Sequence, residues 1–435
     1  MMMTIRDKLE DILARLAKRA ADERVYLRLY EDAARAAADA ADTRKQTGVS
    51  LGPLDGAIVS IKDLFDVAGE TTTAGSVVLR DAPPAQRDAA VVRRLRQAGA
   101  VIIGKTNMVE FAFSGLGLNP HYGTPGNAAD PERIPGGSSS GAGVSVAERT
   151  SDISIGSDTG GSVRIPAALN GVVGFKPTAR RVPLDGAFPL SPSLDSIGPL
   201  ARTVQECAFA DAIMAGEEPR PLAPRPLAGL RFGVPRGRLF TESEPLVMEA
   251  FDASLQRLSR SGVRIVDHSI EDLLQAMADT TTRASIASIE AAEVHADWLH
   301  EKAHLIDPRV QWWIARSGAV PAPVYIRMIR QRKTLIAQME ERLSSVDALV
   351  LPTTAVSAPL IAPLEASDKL YNKMDWLILR NTMFGNQFDL TGISLPIPGY
   401  ARPVGLMLIA SHGQDRRLME IAASVERGLM VTHKG

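Results

Sequence analysis

The sequence predicts an α/β fold, a mixed or parallel β-sheet covered by helices, in a single domain spanning residues 1–435. Three observations carry this expectation. Short strand-like runs alternate with helix-period segments up to about residue 215, the pattern of strands joined by covering helices. The runs 57–61 and 100–103 are short, apolar and β-branched, as in strands buried on both faces. Later runs, 346–351 and 393–396, resemble the early ones. The chain is therefore expected to return to the first sheet around an inserted helical layer, about residues 240–345.

The elements follow in order. Residues 3–46 read as two helices, the second alanine-rich through Ala33 to Ala41. Gly52-Pro53-Leu54-Asp55-Gly56 is a turn, and the first strand follows it. Over 88–98, Val91, Val92, Leu95 and Ala98 share one helical face opposite the arginines, and Gly99 ends that helix. A Gly/Ser loop leads into the strand-like 152–156. The Pro-rich 218–226 is the best linker candidate. A strand is expected over 229–235, an amphipathic helix over 244–261 and mainly helix over 270–345.

Composition narrows the partners. Apolar residues make up 45% and charged residues 23% of the chain, with a formal net charge of −1, ordinary for a globular protein with a large core. That balance gives no electrostatic case for nucleic acid or an anionic membrane. The basic clusters Arg93-Arg94-Leu95-Arg96 and Arg327 to Lys333 are expected on solvated helical faces. Cys207 is the single cysteine, which excludes an intramolecular disulfide and any multi-cysteine metal site; its helical context suggests a small buried residue. The amphipathic N-terminus lacks the apolar core of a signal peptide. The apolar region 348–364 is broken by Pro352, Pro359 and Pro363 and is too short to span a bilayer. A cytoplasmic location is the default expectation.

Three familiar patterns match letters but not context. Gly99-Ala100-Val101-Ile102-Ile103-Gly104-Lys105-Thr106 fits a phosphate loop, yet a helix precedes it and an apolar strand fills it, where exposed amides are required. His300-Glu301-Lys302-Ala303-His304 fits a zinc-peptidase helix. No Gly-x-x-His follows, and Asp307-Pro308 ends the helix; Glu340 or Glu341 would have to supply the third ligand. Gly137-Ser138-Ser139-Ser140-Gly141 fits a nucleophile elbow, with Asp389 and His412 in the right order. No strand runs into it, and the reading leaves Lys62 and the loop Asp158 to Ser162 without roles.

A different constellation uses those pieces. Ser138 and Ser162 lie in glycine-flanked loops 24 positions apart. Upstream stands one lysine in an apolar run, Ile58-Val59-Ser60-Ile61-Lys62-Asp63. Cleaving an amide requires a deprotonated nucleophile and donors for the tetrahedral oxyanion. Thr159-Gly160-Gly161-Ser162 offers consecutive backbone N–H groups that can approach a substrate closely. Burial would lower the pKa of Lys62 and make it a base; Ser138 would bridge it to Ser162. Taken alone, Lys62 reads as a structural lysine paired with Asp63 or Asp66. Together the pieces point to a hydrolase of amides that needs neither histidine, metal nor cofactor.

The chain resembles the amidase signature family of Ser-cisSer-Lys hydrolases. The resemblance rests on Gly52-Pro53-Leu54-Asp55-Gly56, Ile61-Lys62-Asp63, Thr72-Thr73-Ala74-Gly75-Ser76 and Glu110-Phe111-Ala112. Its core is Pro135-Gly136-Gly137-Ser138-Ser139-Ser140-Gly141 and Gly156-Ser157-Asp158-Thr159-Gly160-Gly161-Ser162-Val163-Arg164-Ile165-Pro166. Gly174-Phe175-Lys176-Pro177-Thr178, the stretch Ser193 to Thr203 and a weaker match at Pro403 to Ile409 complete it. It implies a large mixed sheet between helical layers. It also implies Ser162 as nucleophile, Ser138 on a cis peptide bond as relay, Lys62 as base and an oxyanion hole from Thr159, Gly160, Gly161 and Ser162. Asp158 and Arg164 would tie down the loop.

Two departures bear on function. Ser140 stands where the family often has glycine. The segment 114–122 lacks the Ser-Thr-Glu-Asn pattern of the glutamine-using tRNA amidotransferase component, which argues against that role. Residues 113–122 are expected to line the acyl pocket as they do in relatives. Phe113, Leu116, Gly117, Leu118 and Tyr122 there favour a neutral, partly hydrophobic acyl group, with core packing the competing reading. Amide, ester, carbamate and urea-like substrates stay open. The expected partner is a small-molecule amide, and a homodimer is compatible with the chain.

Overall fold

The computed structural model describes residues 3–430. Eleven strands form one mixed sheet: Tyr26–Leu29 (β1), Ile58–Lys62 (β2), Val101–Thr106 (β3), Ile153–Asp158 (β4), Val173–Lys176 (β5), Ser196–Ala201 (β6), Arg231–Val234 (β7), Arg264–Asp267 (β8), Ala348–Pro352 (β9), Thr391–Pro396 (β10) and Gly405–Ala410 (β11). Their spatial order is β1-β3-β2-β4-β6-β5-β10-β11-β9-β7-β8. Strand β2 runs parallel to β3 and β4, β7 runs parallel to β8 and β9, and the other pairings are antiparallel.

Both faces of the sheet are apolar because consecutive strand residues point to opposite sides. Val59, Ile61, Ile155, Val350, Leu406 and Leu408 share one cluster with the helices Ala90–Gln97, Val204–Ala215, Pro245–Arg260 and Asp415–Met430. Their neighbours in sequence face the other way. Ile58, Val101 and Ile103 meet the helices Ile5–Ala17 and Glu31–Gln46. Leu349, Leu351, Met407 and Ile409 meet helices Glu271–Thr280, Ala322–Leu343 and Asp368–Gln387. The sheet is thus sandwiched between helical layers, as expected.

Several local expectations need correction. Residues 3–46 hold two helices with the edge strand β1 between them. Its pairing with β3 requires Gly104, where a Cβ would lie 2.2 Å from the Arg28 carbonyl. Arg332, assigned to a solvated face, is 7% exposed and donates to the Gln387 and Asn386 carbonyls. The Pro-rich 218–226 is irregular, and within it Leu222 is buried and Arg225 pairs with Glu420 at 3.0 Å. The helical insertion also carries the edge strand β8. Cys207 is fully buried, and burial pushes its thiol well above the usual range. Among the described residues no helix is long and apolar enough to cross a membrane.

Candidate active site

The parallel strands β2, β3 and β4 end side by side, at Lys62, Thr106 and Asp158. Outside the carboxyl ends of such strands is where open α/β sheets place their sites. Ser138 and Ser162 each lie two residues ahead of a short helix, Ser140–Ala147 and Arg164–Asn170. The Ser139 amide donates to the Ser162 carbonyl at 3.3 Å, so the two serine loops touch. The Gly137–Ser138 peptide bond is cis.

Lys62 is fully buried and its Nζ donates to Ser138 Oγ at 2.7 Å and Ser157 Oγ at 2.9 Å. It makes no salt bridge among the described residues. Asp63, its suggested structural partner, pairs with Lys105 at 3.2 Å, and Asp66 accepts from Thr72 at 2.7 Å. Burial lowers the Lys62 pKa to about 7, against the opposing pull of Asp195 and Asp158. An ammonium without a counter-ion is costly in a dry interior, so the neutral amine is favoured.

The second loop is fixed from behind. Burial alone would raise the Asp158 carboxyl, but the Arg164 guanidinium, bonded at 3.0 and 2.9 Å, holds it down at about 2. Asn386 donates to the Asp158 carbonyl at 2.8 Å and accepts from Arg164 at 2.7 Å. Thr382 donates to the Gly160 carbonyl at 2.6 Å. Gly161 has φ of +140°, and a Cβ there would lie 2.1 Å from Thr382 Oγ1, so only glycine fits. Thr159 donates its hydroxyl to Asp195, whose carboxyl burial raises to about 6. Among the described residues the N–H groups of Thr159, Gly160, Gly161 and Ser162 have no acceptor. Ser162 is 4% exposed beside them.

The pocket candidates divide. Leu116 and Leu118 pack with Ile134, Ile165 and Ile378 in a buried cluster. Gly117 backs the Gly136 carbonyl, and Gly115 accepts from the Gly137 amide at 2.7 Å. Phe113 and Tyr122 are half-buried, the latter with its hydroxyl 3.4 Å from the Ser76 carbonyl.

The rival motifs are dispersed. The helix bearing His300 stops at Lys302, His304 sits in a 3-10 turn, and both histidines are exposed. Among the described residues no three His, Cys, Asp or Glu side chains gather to hold a metal. Gly104 and Lys105 lie inside β3, with no phosphate-loop geometry. Asp389 and His412 do lie 3.7 Å from each other, but among the described residues the Ser139 hydroxyl bonds only the Ser157 carbonyl, at 3.3 Å, and no histidine.

Sequence reasoning missed Ser157, Asp195, Thr382 and Asn386. The first two stand inside the quoted motifs, but their stretches hold other polar residues, Ser154, Asp158, Ser193 and Ser196, so nothing local singles them out. Thr382 and Asn386 reach the site from more than 200 positions away and carry no signal.

This fold, with these glycine-rich serine loops against a buried lysine, defines an enzyme of the amidase class, hydrolysing carbon–nitrogen bonds. The chain belongs to the amidase signature family: the model of the family described as Amidase matches residues 7–419. It is 37% identical over 401 residues to 2-amino-5-chloromuconic acid deaminase of Comamonas testosteroni, covering 90% of this chain and 86% of that one. It is 33% identical to a glutamyl-tRNA(Gln) amidotransferase subunit of Koribacter versatilis, over 93% of this chain and 91% of the relative. A crystal structure of an amidase superposes with a TM-score of 0.85 at 35% identity, covering 98% of this chain and 96% of that one.

Proposed function

We propose that the protein hydrolyses a small, neutral, partly hydrophobic amide through an acyl-enzyme on Ser162. The observation that carries this reading is the 2.7 Å contact between the buried, carboxylate-free Lys62 amine and Ser138 Oγ. Ser162 Oγ attacks the substrate carbonyl as its proton passes to Ser138, which gives its own proton to neutral Lys62. The oxyanion accepts from the free N–H groups of Thr159 to Ser162; one such donor is worth about 3–4 kcal/mol of barrier. Collapse breaks the C–N bond, and the amine leaves with the proton that Lys62 returns through Ser138. Water then attacks the Ser162 ester by the same relay, releasing the acid and the free serine. Asp158 and Arg164 hold the loop rather than the substrate.

Likeness to a deaminase of a small unsaturated acid supports a small substrate. Likeness to an amidotransferase component supports a second reading, in which the chain uses glutamine beside a partner; the missing Ser-Thr-Glu-Asn pattern at 114–122 weighs against it. Fluorophosphonate treatment followed by intact mass and peptide mapping tests the mechanism. A single adduct on Ser162 is expected, and its loss in Lys62→Ala. No adduct, or one on Ser139, sinks the lysine relay. Release of ammonia from glutamine as the preferred substrate would favour the second reading.

A further inference from the structure

The helix Asp368–Gln387 bonds the Ser162 loop through Thr382 and Asn386 and meets the Ser138 loop only through Ser114 and Gly115. One turn before Leu379, which lies 3.5 Å from the Cβ position of Gly160, stands Asp375. Asp375 thus stands one helical turn, about 5.4 Å of rise, from the residue that meets Gly160. Its Oδ1 accepts from Ser114 Oγ and the Gly115 amide, both at 2.8 Å. Ser114 and Gly115 belong to the expected acyl-pocket wall, and Gly115 in turn holds the Gly137 amide at 2.7 Å. Among the described residues the other oxygen, Oδ2, makes no hydrogen bond or salt bridge, and the residue is half-buried. Neighbouring cations are engaged elsewhere: Arg309 with Asp368 at 2.9 Å and over the Tyr371 ring, Lys373 with Glu242 at 3.0 Å.

A half-buried carboxylate with one oxygen free of protein partners and no protein cation bound to it can take an N–H or ammonium donor from a ligand. We propose that Asp375 is a specificity-determining residue whose Oδ2 receives an ammonium or N–H donor on the acyl side of the substrate, making amino-substituted acyl amides the preferred class. This rests on the reading of Ser162 as the nucleophile and departs from the proposed substrate in one respect: the acyl group carries an amino substituent instead of being neutral throughout. Burial raises the carboxyl to about 6, against the lowering by Ser114 and Gly115, so it is ionised at neutral pH and above.

The test compares 5-aminopentanamide with its alkyl isostere hexanamide and its anionic counterpart, the monoamide of adipic acid. A charge-assisted bond predicts a kcat/KM ratio of amine over alkyl of about tenfold or more in the wild type. Asp375→Asn should take that ratio to about 1, and Asp375→Lys should turn the preference toward the anionic amide. A wild-type ratio of 1 or below overturns the proposal. So does a uniform loss for all three amides in Asp375→Asn with the ratio retained, because the carboxylate would then only prop up Ser114 and Gly115. Fluorophosphonate labelling separates the two levels. An unlabelled wild type fails the nucleophile assignment, whereas normal Ser162 labelling with an unaltered ratio fails Asp375 alone.

Discussion

At the scale of single residues, the proposed chemistry turns on how a lysine becomes a base near neutral pH. Lys62 has no carboxylate partner, and its burial brings the pKa to about 7. Only the neutral amine can take a proton, and it predominates above that pKa. Activity should therefore fall as pH drops through about 7 and level off above it. The pH profile of kcat/KM checks this; a limb rising only near the ordinary lysine value of about 10.4 would show that Lys62 is not held neutral. The lysine and both serines of the proposed triad could be singled out in the sequence because each stands in a short motif whose type and order fit that chemistry. Ser157 could not be given its role, because a second hydroxyl on Lys62 depends on where β4 ends beside β2, a tertiary register that a linear motif does not encode.

At the scale of elements, the helix Asp368–Gln387 organises the site although it holds no residue of the proposed triad. Asn386 fills the space between Asp158 and Arg164, bonding the Asp158 carbonyl, its carboxylate and the guanidinium at 2.8, 3.0 and 2.7 Å. Replacing it with leucine conserves volume but leaves buried charged groups short of partners, a loss of about 2–4 kcal/mol. Asn386→Leu should lower the denaturant midpoint accordingly, while Lys373→Ala on the exposed face of the same helix should change stability by less than about 0.5 kcal/mol. Equal effects would mean that the Asp158–Arg164 pair needs no third partner. The sequence marked this helix only as part of the C-terminal half, since its contacts with the loops lie far apart in the chain. Strands show the same limit. The apolar, β-branched β2 and β3 were legible, whereas β6 contains Gly198 and Pro199, and the edge strands β1 and β8 are four residues long with one wet side. Such strands exist because a neighbour pairs with them, which local propensity cannot register.

At the scale of the whole molecule, the question is whether the early strands and the late ones form one cooperative unit. Their seam is the antiparallel pairing of β5 with β10, where Gly392, Ile393 and Ser394 face Lys176, Phe175 and Gly174. Side chains cross it as well: Asp415 accepts from the Thr178 amide at 2.7 Å and its hydroxyl at 2.8 Å, and Asn386 reaches Asp158. One hydrophobic cluster runs beneath both halves, from Val59 and Val91 to Leu408 and Val425. Unfolding the late strands alone would expose the edge of β5 and strip one face of that cluster, while also removing the groups that hold Asp158 and Gly160. The two halves thus share a strand pairing, a hydrophobic cluster and the hydrogen bonds that hold the candidate site. A single transition is therefore expected. All four tryptophans, Trp298, Trp312, Trp313 and Trp376, lie in the late half, and Trp298 packs 5.5 Å from Phe111 of the early half. Tryptophan emission thus follows the late half and its seam, whereas far-ultraviolet circular dichroism follows the whole chain. Coincident denaturant midpoints for the two signals, with loss of Ser162 labelling at the same concentration, are the expected outcome. An emission transition that precedes the dichroism change, leaving a structured early half, would divide the chain into two units and make the late strands an accessory to the site instead of part of its foundation.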